Sequence, residues 1–184
     1  MSASKVNLKD TASAQPASGG RTPAWFRPKL PVRVDAELIA EMKSESDRLG
    51  RSNVRLCLHD SPQAGFHEMI IVEHRGKYYR PHKHLKKGES YHIIEGQMRV
   101  YTFEDDGKLL DLCLLSPGAS FIYRVGVNMF HAIEPVTERI IYHEAKLGPF
   151  EGDGDSVWAP WAPDGADPEK AREWAEALSR RNIP

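Results

Sequence analysis

Short apolar runs separated by turn residues fill the middle of the chain, between positions 53 and 150. Runs rich in β-branched and aromatic residues predict strands when Gly, Pro, Asp or Ser residues bound them. They are NVRLCLH, HEMIIVEH, KYYRPHKH, SYHII, QMRVYTFE, KLLDLCLL, ASFIYRV and ERIIYHEAKL. No helical pattern comes between them, which argues against a parallel α/β sheet. About eight strands at this spacing predict an all-β fold, an antiparallel sandwich or barrel.

Two helical patterns flank the predicted strands. The first begins at Asp35, a residue type suited to cap a helix, and ends at Gly50, and its apolar residues recur at near-helical spacing. The second begins at Asp167 and Pro168, a typical helix start, and has a basic end. The sequence therefore predicts a short helix on each side of the β-rich region.

The length of 184 residues suits one domain with terminal extensions. Residues 1–20 are rich in Ser, Ala, Gly and Thr and offer little apolar surface to offset the entropy of ordering, so we expect a disordered tail there. The predicted organisation is a tail at 1–20, an N-terminal arm and helix at 21–52, a barrel at 53–150, and an irregular segment with a helix at 151–184.

The charge balance limits the classes of partner. Lys and Arg number 25 and Asp and Glu 26, so the chain lacks the basic excess of proteins that bind nucleic acid or anionic membranes. A small molecule is the expected ligand. No apolar stretch has the length of a signal-peptide core or a membrane span, which predicts a cytoplasmic protein. Cys57 and Cys113 lie inside apolar runs and are predicted to be buried, reduced thiols.

The stretch PHKHLKKGESYHIIEG contains the residues that suggest chemistry. In it, His82, His84, Glu89 and Gly96 form the pattern His-x-His-(x)4-Glu-(x)6-Gly. Side chains two apart on a strand share a face, so the two histidines can point at one centre, and a turn can return Glu89 to it. Two imidazoles and a carboxylate suit one divalent transition metal, namely Fe, Mn, Ni, Co or Zn.

This pattern resembles the first motif of the cupin superfamily and matches it completely. With the flanking helices, the resemblance implies a cupin-type double-stranded jelly-roll β-barrel and a fourth ligand from a second motif, Gly-(x)5-Pro-x-Gly-(x)2-His-(x)3-Asn. Gly118 and Gly126 fit that motif, but Arg124 replaces its proline and Met129 its histidine. His131, the only histidine in that region, is therefore predicted as the fourth metal ligand, through a loop two residues longer.

More narrowly, residues 35–150 resemble the WbuC-type cupins of bacterial polysaccharide-biosynthesis loci. The matching stretches include RLCLHDSP, FHEMIIVE, YYRPHKHLKKGESYHIIEG, YRVG and IYHEAKLGPF. This resemblance implies no particular reaction. Cupins commonly pair through their outer strands, so the superfamily resemblance also implies a homodimer. His143 and Glu144, on the following strand, are the replacement candidates if His131 supplies no ligand.

Strand alternation selects two further residues on the side of the predicted metal. Tyr78 and Arg80 share the parity of His82, so a regular strand would turn both into the interior. A buried guanidinium needs an anionic partner, and a substrate carboxylate or phosphate can fill that role. We predict Arg80 and Tyr78 as substrate-binding residues. An internal glutamate, Glu73 or Glu144, is the structural alternative as the partner of Arg80.

Tyr91 lies two residues beyond Glu89 and so shares its face of the strand. The spacing His-x-His-(x)4-Glu-x-Tyr-(x)4-Gly also resembles cupin lyases that cleave dimethylsulfoniopropionate, in which a tyrosine near the metal acts as base. The resemblance implies a catalytic role for Tyr91. Packing in an aromatic core is the alternative.

Three functions fit these residues. The first is a metal-dependent isomerase, epimerase or lyase that acts on a small oxygen-rich anion such as a sugar derivative. The second is an Fe(II)-dependent dioxygenase that uses open coordination positions for oxygen. The third is a sugar-binding protein without turnover. A ligand set of the open-site type favours an enzyme over simple binding.

Overall fold

The structure, a computed structural model, describes residues 6–17, 22–27 and 31–181. The helices in these ranges are α1 (Ala36–Arg48) and α2 (Pro168–Ser179), and a short 3-10 helix covers Gly152–Asp155. The strands are β1 (Gln15–Pro16), β2 (Ala24–Phe26), β3 (Val54–Cys57), β4 (Phe66–His74), β5 (His82–Lys83), β6 (Glu89–Glu95), β7 (Met98–Phe103), β8 (Leu109–Leu115), β9 (Ile122–Val125), β10 (Phe130–Pro135), β11 (Arg139–Leu147) and β12 (Val157–Trp158).

The strands form two sheets. One has the order β1-β2-β3-β4-β11-β6-β9 and the other the order β12-β5-β10-β7-β8. The sheets share a core in which Ile71 and Tyr91 of the first sheet pack with Met98 and Val100 of the second. Strand pairing among the described residues stays within each sheet, so the fold is mostly β, and the closed barrel that the sequence predicted is not confirmed. The two sheets form an open sandwich.

Helix α1 covers the outer face of the larger sheet. Asp35 caps it, since its side chain accepts a hydrogen bond from the Leu38 backbone N–H at 3.1 Å. Leu38, Ile39 and Met42 are buried against strand residues such as Val54. The pattern of the sequence predicted this amphipathic face. Neither helix of the described chain is long and apolar enough to cross a membrane.

The N-terminal segment differs from its predicted form. Residues 1–20 are predicted to be a disordered tail, but Val6, Leu8 and Ala14 are buried in the core beneath α1. The Leu8 backbone N–H also donates to the Glu41 side chain at 2.8 Å. The segment has few apolar residues, and these three side chains share one buried cluster with residues of α1 and the larger sheet. Residues 1–5 and 18–20 of the predicted tail lie outside the described residues.

Both cysteines are free thiols. Cys57 is buried and Cys113 half-buried. Burial raises the pKa of Cys57 to about 11, so this thiol is protonated at neutral pH and belongs to the packing of the core.

Candidate metal centre

Two sheets supply the four predicted ligands. His82 on β5 lies opposite His131 on β10 in the strand register, and His84 follows two residues after His82. Glu89 opens β6 in the other sheet. The turn between them requires Gly88, because a Cβ atom at that position would lie 2.9 Å from the Val125 carbonyl oxygen. This strand, turn and strand therefore bring His82, His84 and Glu89 to one point between the sheets.

The longer loop before β10 places His131. Asn128 adopts a left-handed backbone conformation, with φ of 58°, and its N–H donates to the His84 carbonyl at 2.8 Å. This bond ties the loop to the strand that holds the first two histidines. The loop thereby absorbs the two extra residues that separate the sequence from the second cupin motif.

The four side chains converge. One possible ligand atom from each of His82, His84, Glu89 and His131 lies within 4.8 Å of the others. Three of these residues are buried and His82 is half-buried. The aromatic rings are correspondingly close, with centroids of His82 and His131 at 4.5 Å. The structure thus brings together all four residues predicted as metal ligands.

Backbone carbonyls orient the three imidazoles. The Nδ1 atoms of His82, His84 and His131 lie 3.4, 2.5 and 2.9 Å from the carbonyl oxygens of Arg80, Asp155 and Met129, respectively. A carbonyl accepts only a protonated nitrogen, so each ring carries its proton on Nδ1 when neutral. Each Nε2 lone pair is then free to face the centre, which is the arrangement seen around protein-bound metals.

A proton or a metal cation must lie between Glu89 and the Nε2 atoms of His84 and His131. Both are buried and lack a hydrogen-bond partner among the described residues, although they lie 3.2 and 2.6 Å from the two carboxylate oxygens of Glu89. When both imidazoles are neutral, their nitrogen lone pairs and those of the carboxylate oxygens repel each other at such distances. A divalent cation relieves the repulsion and satisfies every buried group, so the residues fit a metal.

The electrostatics favour the metal-binding forms of His82 and Glu89, whereas at His84 contact with Glu89 outweighs burial and raises the pKa, so a metal displaces a proton there. Burial, with a smaller effect of His131, lowers the pKa of His82 to about 3, so this imidazole is neutral. Burial opposes ionisation of Glu89, but its contacts with His131 and His84 outweigh burial and hold its pKa well below the ordinary value. Neutral imidazoles and an ionised carboxylate are the forms that bind a metal.

Tyr91 lies beside the centre, on the face that strand alternation predicted. Its hydroxyl donates a hydrogen bond to Glu89, and its ring packs 6.5 Å from that of His131. Burial and the charge of Glu89 raise the pKa of Tyr91 well above the ordinary value, so the phenol holds its proton. The contact with a ligand carboxylate fits either a proton donor or a residue that orients Glu89.

Arg80 and Tyr78 make other contacts than the predicted ones. The Arg80 guanidinium donates to the Ala159 carbonyl at 2.8 and 3.2 Å, and the Tyr78 hydroxyl donates to the Pro163 carbonyl at 2.8 Å. The alternation argument assumed a regular strand through these positions, but β5 begins only at His82. The partner of Arg80 is therefore a backbone carbonyl of the C-terminal segment, and substrate binding by these two residues stays a prediction.

The C-terminal segment reaches the centre, which the sequence did not indicate. The Asp155 carbonyl orients His84, and the Asp155 side chain forms a buried ion pair with Lys87. Lys87, in the turn between β5 and β6, is only 7% exposed. The ring of Trp158 packs 5.3 Å from His82. Because 71 residues separate Asp155 from His84, no local spacing pattern could reveal this contact.

Strand β11 supplies a polar row that faces the same interior. Lys146 lies opposite Glu89 in the register, and Glu144 lies opposite Tyr91. The Lys146 Nζ atom is 3.1 Å from Glu144 Oε1 and 3.6 Å from Glu89 Oε2. His143 points to the other face, where its Nε2 lies 3.3 Å from Glu68. Alternation along IYHEAKL was the sequence signal for this row.

Comparisons with known proteins give limited information. Residues 34–115 match a family model described as a domain of unknown function, DUF6016. No curated protein sequence matches the chain.

Several solved structures are similar in part. The capsular polysaccharide assembling protein CapF from Staphylococcus aureus is 14% identical, with a TM-score of 0.49 over 58% of this chain and 29% of its own. An L-ribose isomerase from Cellulomonas parahominis is 15% identical, with a TM-score of 0.48 over 60% of this chain and 70% of its own. This chain spans about a third of the CapF chains it matches. Likenesses this weak carry no information about the reaction.

Proposed function

We propose that this protein is a divalent-metal-binding cupin and an enzyme that acts on a small oxygen-rich anion. The observation that carries the proposal is the set of buried Nε2 atoms that face the Glu89 carboxylate without a hydrogen-bond partner in the described chain. Each imidazole has its Nδ1 held by a carbonyl. Structural packing alone does not explain lone pairs aimed at one another.

The donor set limits the metal and its chemistry. Three imidazoles and one carboxylate suit Fe, Mn, Ni, Co or Zn better than Mg or Ca, which prefer oxygen ligands. When bound, such a metal polarises an oxygen of the substrate as a Lewis acid. The half-buried position of His82 leaves one side of the centre less covered than the others, which suits the approach of a small molecule.

The residues of the chain have separate roles in this proposal. His82, His84 and His131 bind the metal through Nε2, and Glu89 binds it through its carboxylate. Tyr91 holds a proton at its phenolic oxygen within reach of the centre. Movement of that proton to or from a polarised substrate is general acid–base catalysis of the kind that isomerases, epimerases and lyases use.

Metal analysis of matched variants tests the proposal. We expect about one transition metal ion per chain in the purified protein and loss of most of it in His82→Ala and Glu89→Ala. His92→Ala is the matched control, because His92 lies exposed on the outer face of β6. The proposal fails if the metal content of His82→Ala and Glu89→Ala equals that of the control. The metal found also discriminates: iron with substrate-dependent oxygen uptake favours a dioxygenase.

A further inference from the structure

Lys146 is a partly buried cation that shares one of its two negative partners, Glu89, with the metal centre. We propose that its ammonium group binds the anionic part of the small molecule that the metal receives. Metal and ammonium then hold one oxygen-rich anion between them. This inference rests on the proposed function, because it requires the metal to occupy the four ligands.

The strand register places Lys146 on the interior face. It lies opposite Glu89 on one neighbouring strand and opposite His67 on the other. Its Nζ atom is 3.6 Å from Glu89 Oε2, so an anion that contacts the ammonium is also beside the metal ligands. Arg80, the cation that the sequence suggested for this task, is bonded to the Ala159 carbonyl instead.

The net charge around Lys146 changes from negative to positive when a divalent cation binds. Glu89 and Glu144 contribute two negative charges against the single positive charge of Lys146. A divalent cation makes the sum positive, and it engages the carboxylate of Glu89. An ammonium has three N–H donors, and Glu144 at 3.1 Å uses one of them. Because the loaded centre carries a net positive charge, it favours an added anion.

The side-chain exposures indicate the direction from which a ligand arrives. The Glu89 side chain is 2% exposed, whereas those of Glu144 and Lys146 are 12% and 16% exposed. Lys146 is the most exposed of these three side chains, so a small ligand reaches its ammonium group more readily than the Glu89 carboxylate.

Calorimetric titration of the metal-loaded protein tests the inference, with gluconate as the anionic probe and sorbitol as its uncharged counterpart. We expect the parent to bind gluconate and to bind sorbitol at least about tenfold more weakly, because a charge-assisted hydrogen bond is lost. Lys146→Met should weaken gluconate binding about tenfold or more with unchanged metal content. Lys146→Arg should restore most of the affinity, and Lys86→Met, at an exposed lysine of the turn, should leave it unchanged.

A second variant guards against a folding defect. Lys146→Met combined with Glu144→Gln removes both charges of the pair and should show the same loss of gluconate affinity. The inference is overturned if Lys146→Met binds gluconate as tightly as the parent, or if the loaded parent binds neither gluconate nor inorganic phosphate. Neither of these two results would count against metal binding at the four ligands. Failure of the proposed function appears separately, as a parent protein without metal.

Discussion

Glu73 is a buried carboxyl outside the metal ligands, and it shows what the polar interior costs in stability. Its Oε1 atom accepts a hydrogen bond from Tyr142 at 3.1 Å, while Oε2 lacks a partner within the described ranges. Burial raises the pKa of Glu73 to about 7, despite the opposing effect of the Tyr79 and Tyr142 hydroxyls. The folded protein therefore favours the protonated form more than the unfolded chain does.

The raised pKa predicts that Glu73→Gln stabilises the protein at alkaline pH. Below about pH 4.5 the carboxyl is protonated in both states and costs nothing. The penalty of the parent grows as pH rises from there to about 7 and then stays constant. We expect Glu73→Gln to raise the free energy of unfolding at pH 8 by up to about 3 kcal/mol, with a much smaller gain at pH 5.

Urea denaturation at the two pH values measures this difference, at matched metal content. Glu104→Gln, at an exposed glutamate, is the control and should show no gain at either pH. An equal effect of Glu73→Gln at pH 5 and pH 8 would contradict a raised pKa at this residue.

Among the elements, the segment between β11 and α2 acts as part of the metal site. The Ala159 N–H donates to the Pro81 carbonyl at 2.9 Å, and β12 pairs with β5, with Trp158 opposite His82. The ion pair of Lys87 and Asp155 has both side chains less than a tenth exposed. The segment thereby fixes the strand that carries two of the four ligands.

Removal of the Lys87 charge is expected to weaken metal binding without touching a ligand. Lys87→Met leaves the Asp155 carboxylate buried without its cation, which is a costly state, and so displaces the carbonyl that orients His84. Loss of such outer contacts typically lowers metal affinity about 10- to 100-fold. Competition with a chelator for Zn²⁺ measures the affinity, and Lys86→Met serves as the control with no expected change.

The double variant makes this test specific. Adding Asp155→Asn to Lys87→Met removes the unpaired charge but keeps the backbone carbonyl, so it should recover part of the lost affinity. If Lys87→Met binds Zn²⁺ as tightly as the Lys86→Met control, the segment does not position the site.

For the molecule as a whole, the sequence predicted those features that depend on the spacing of residues close together in the chain. Helix α1, most of the strands and the convergence of His82, His84 and Glu89 depend on contacts within a few residues or on strand alternation. His131 required the superfamily resemblance, because its loop departs from the motif. The resemblance indicated the segment that should hold the fourth ligand, and His131 is the one histidine in that segment.

Contacts between residues far apart in the chain could not be predicted from the sequence. The contact of Asp155 with His84 joins residues 71 apart, and nothing near either residue indicates it. Burial of Val6 and Leu8 depends on a helix that follows them in the chain. The prediction for Arg80 was made from alternation in a segment that is not a strand. The strand count left a sandwich or a barrel open, and only the cupin resemblance implied the barrel, because strand count does not determine whether two sheets close.

An anomalous-scattering map of crystals of the metal-loaded protein, recorded at the absorption edge of the bound metal, tests the central claim most directly. The structure predicts one peak per chain, about 2.0–2.2 Å from the Nε2 atoms of His82, His84 and His131 and from a Glu89 carboxylate oxygen. A peak bound to other residues, or none between these four in crystals that contain stoichiometric metal, would contradict it.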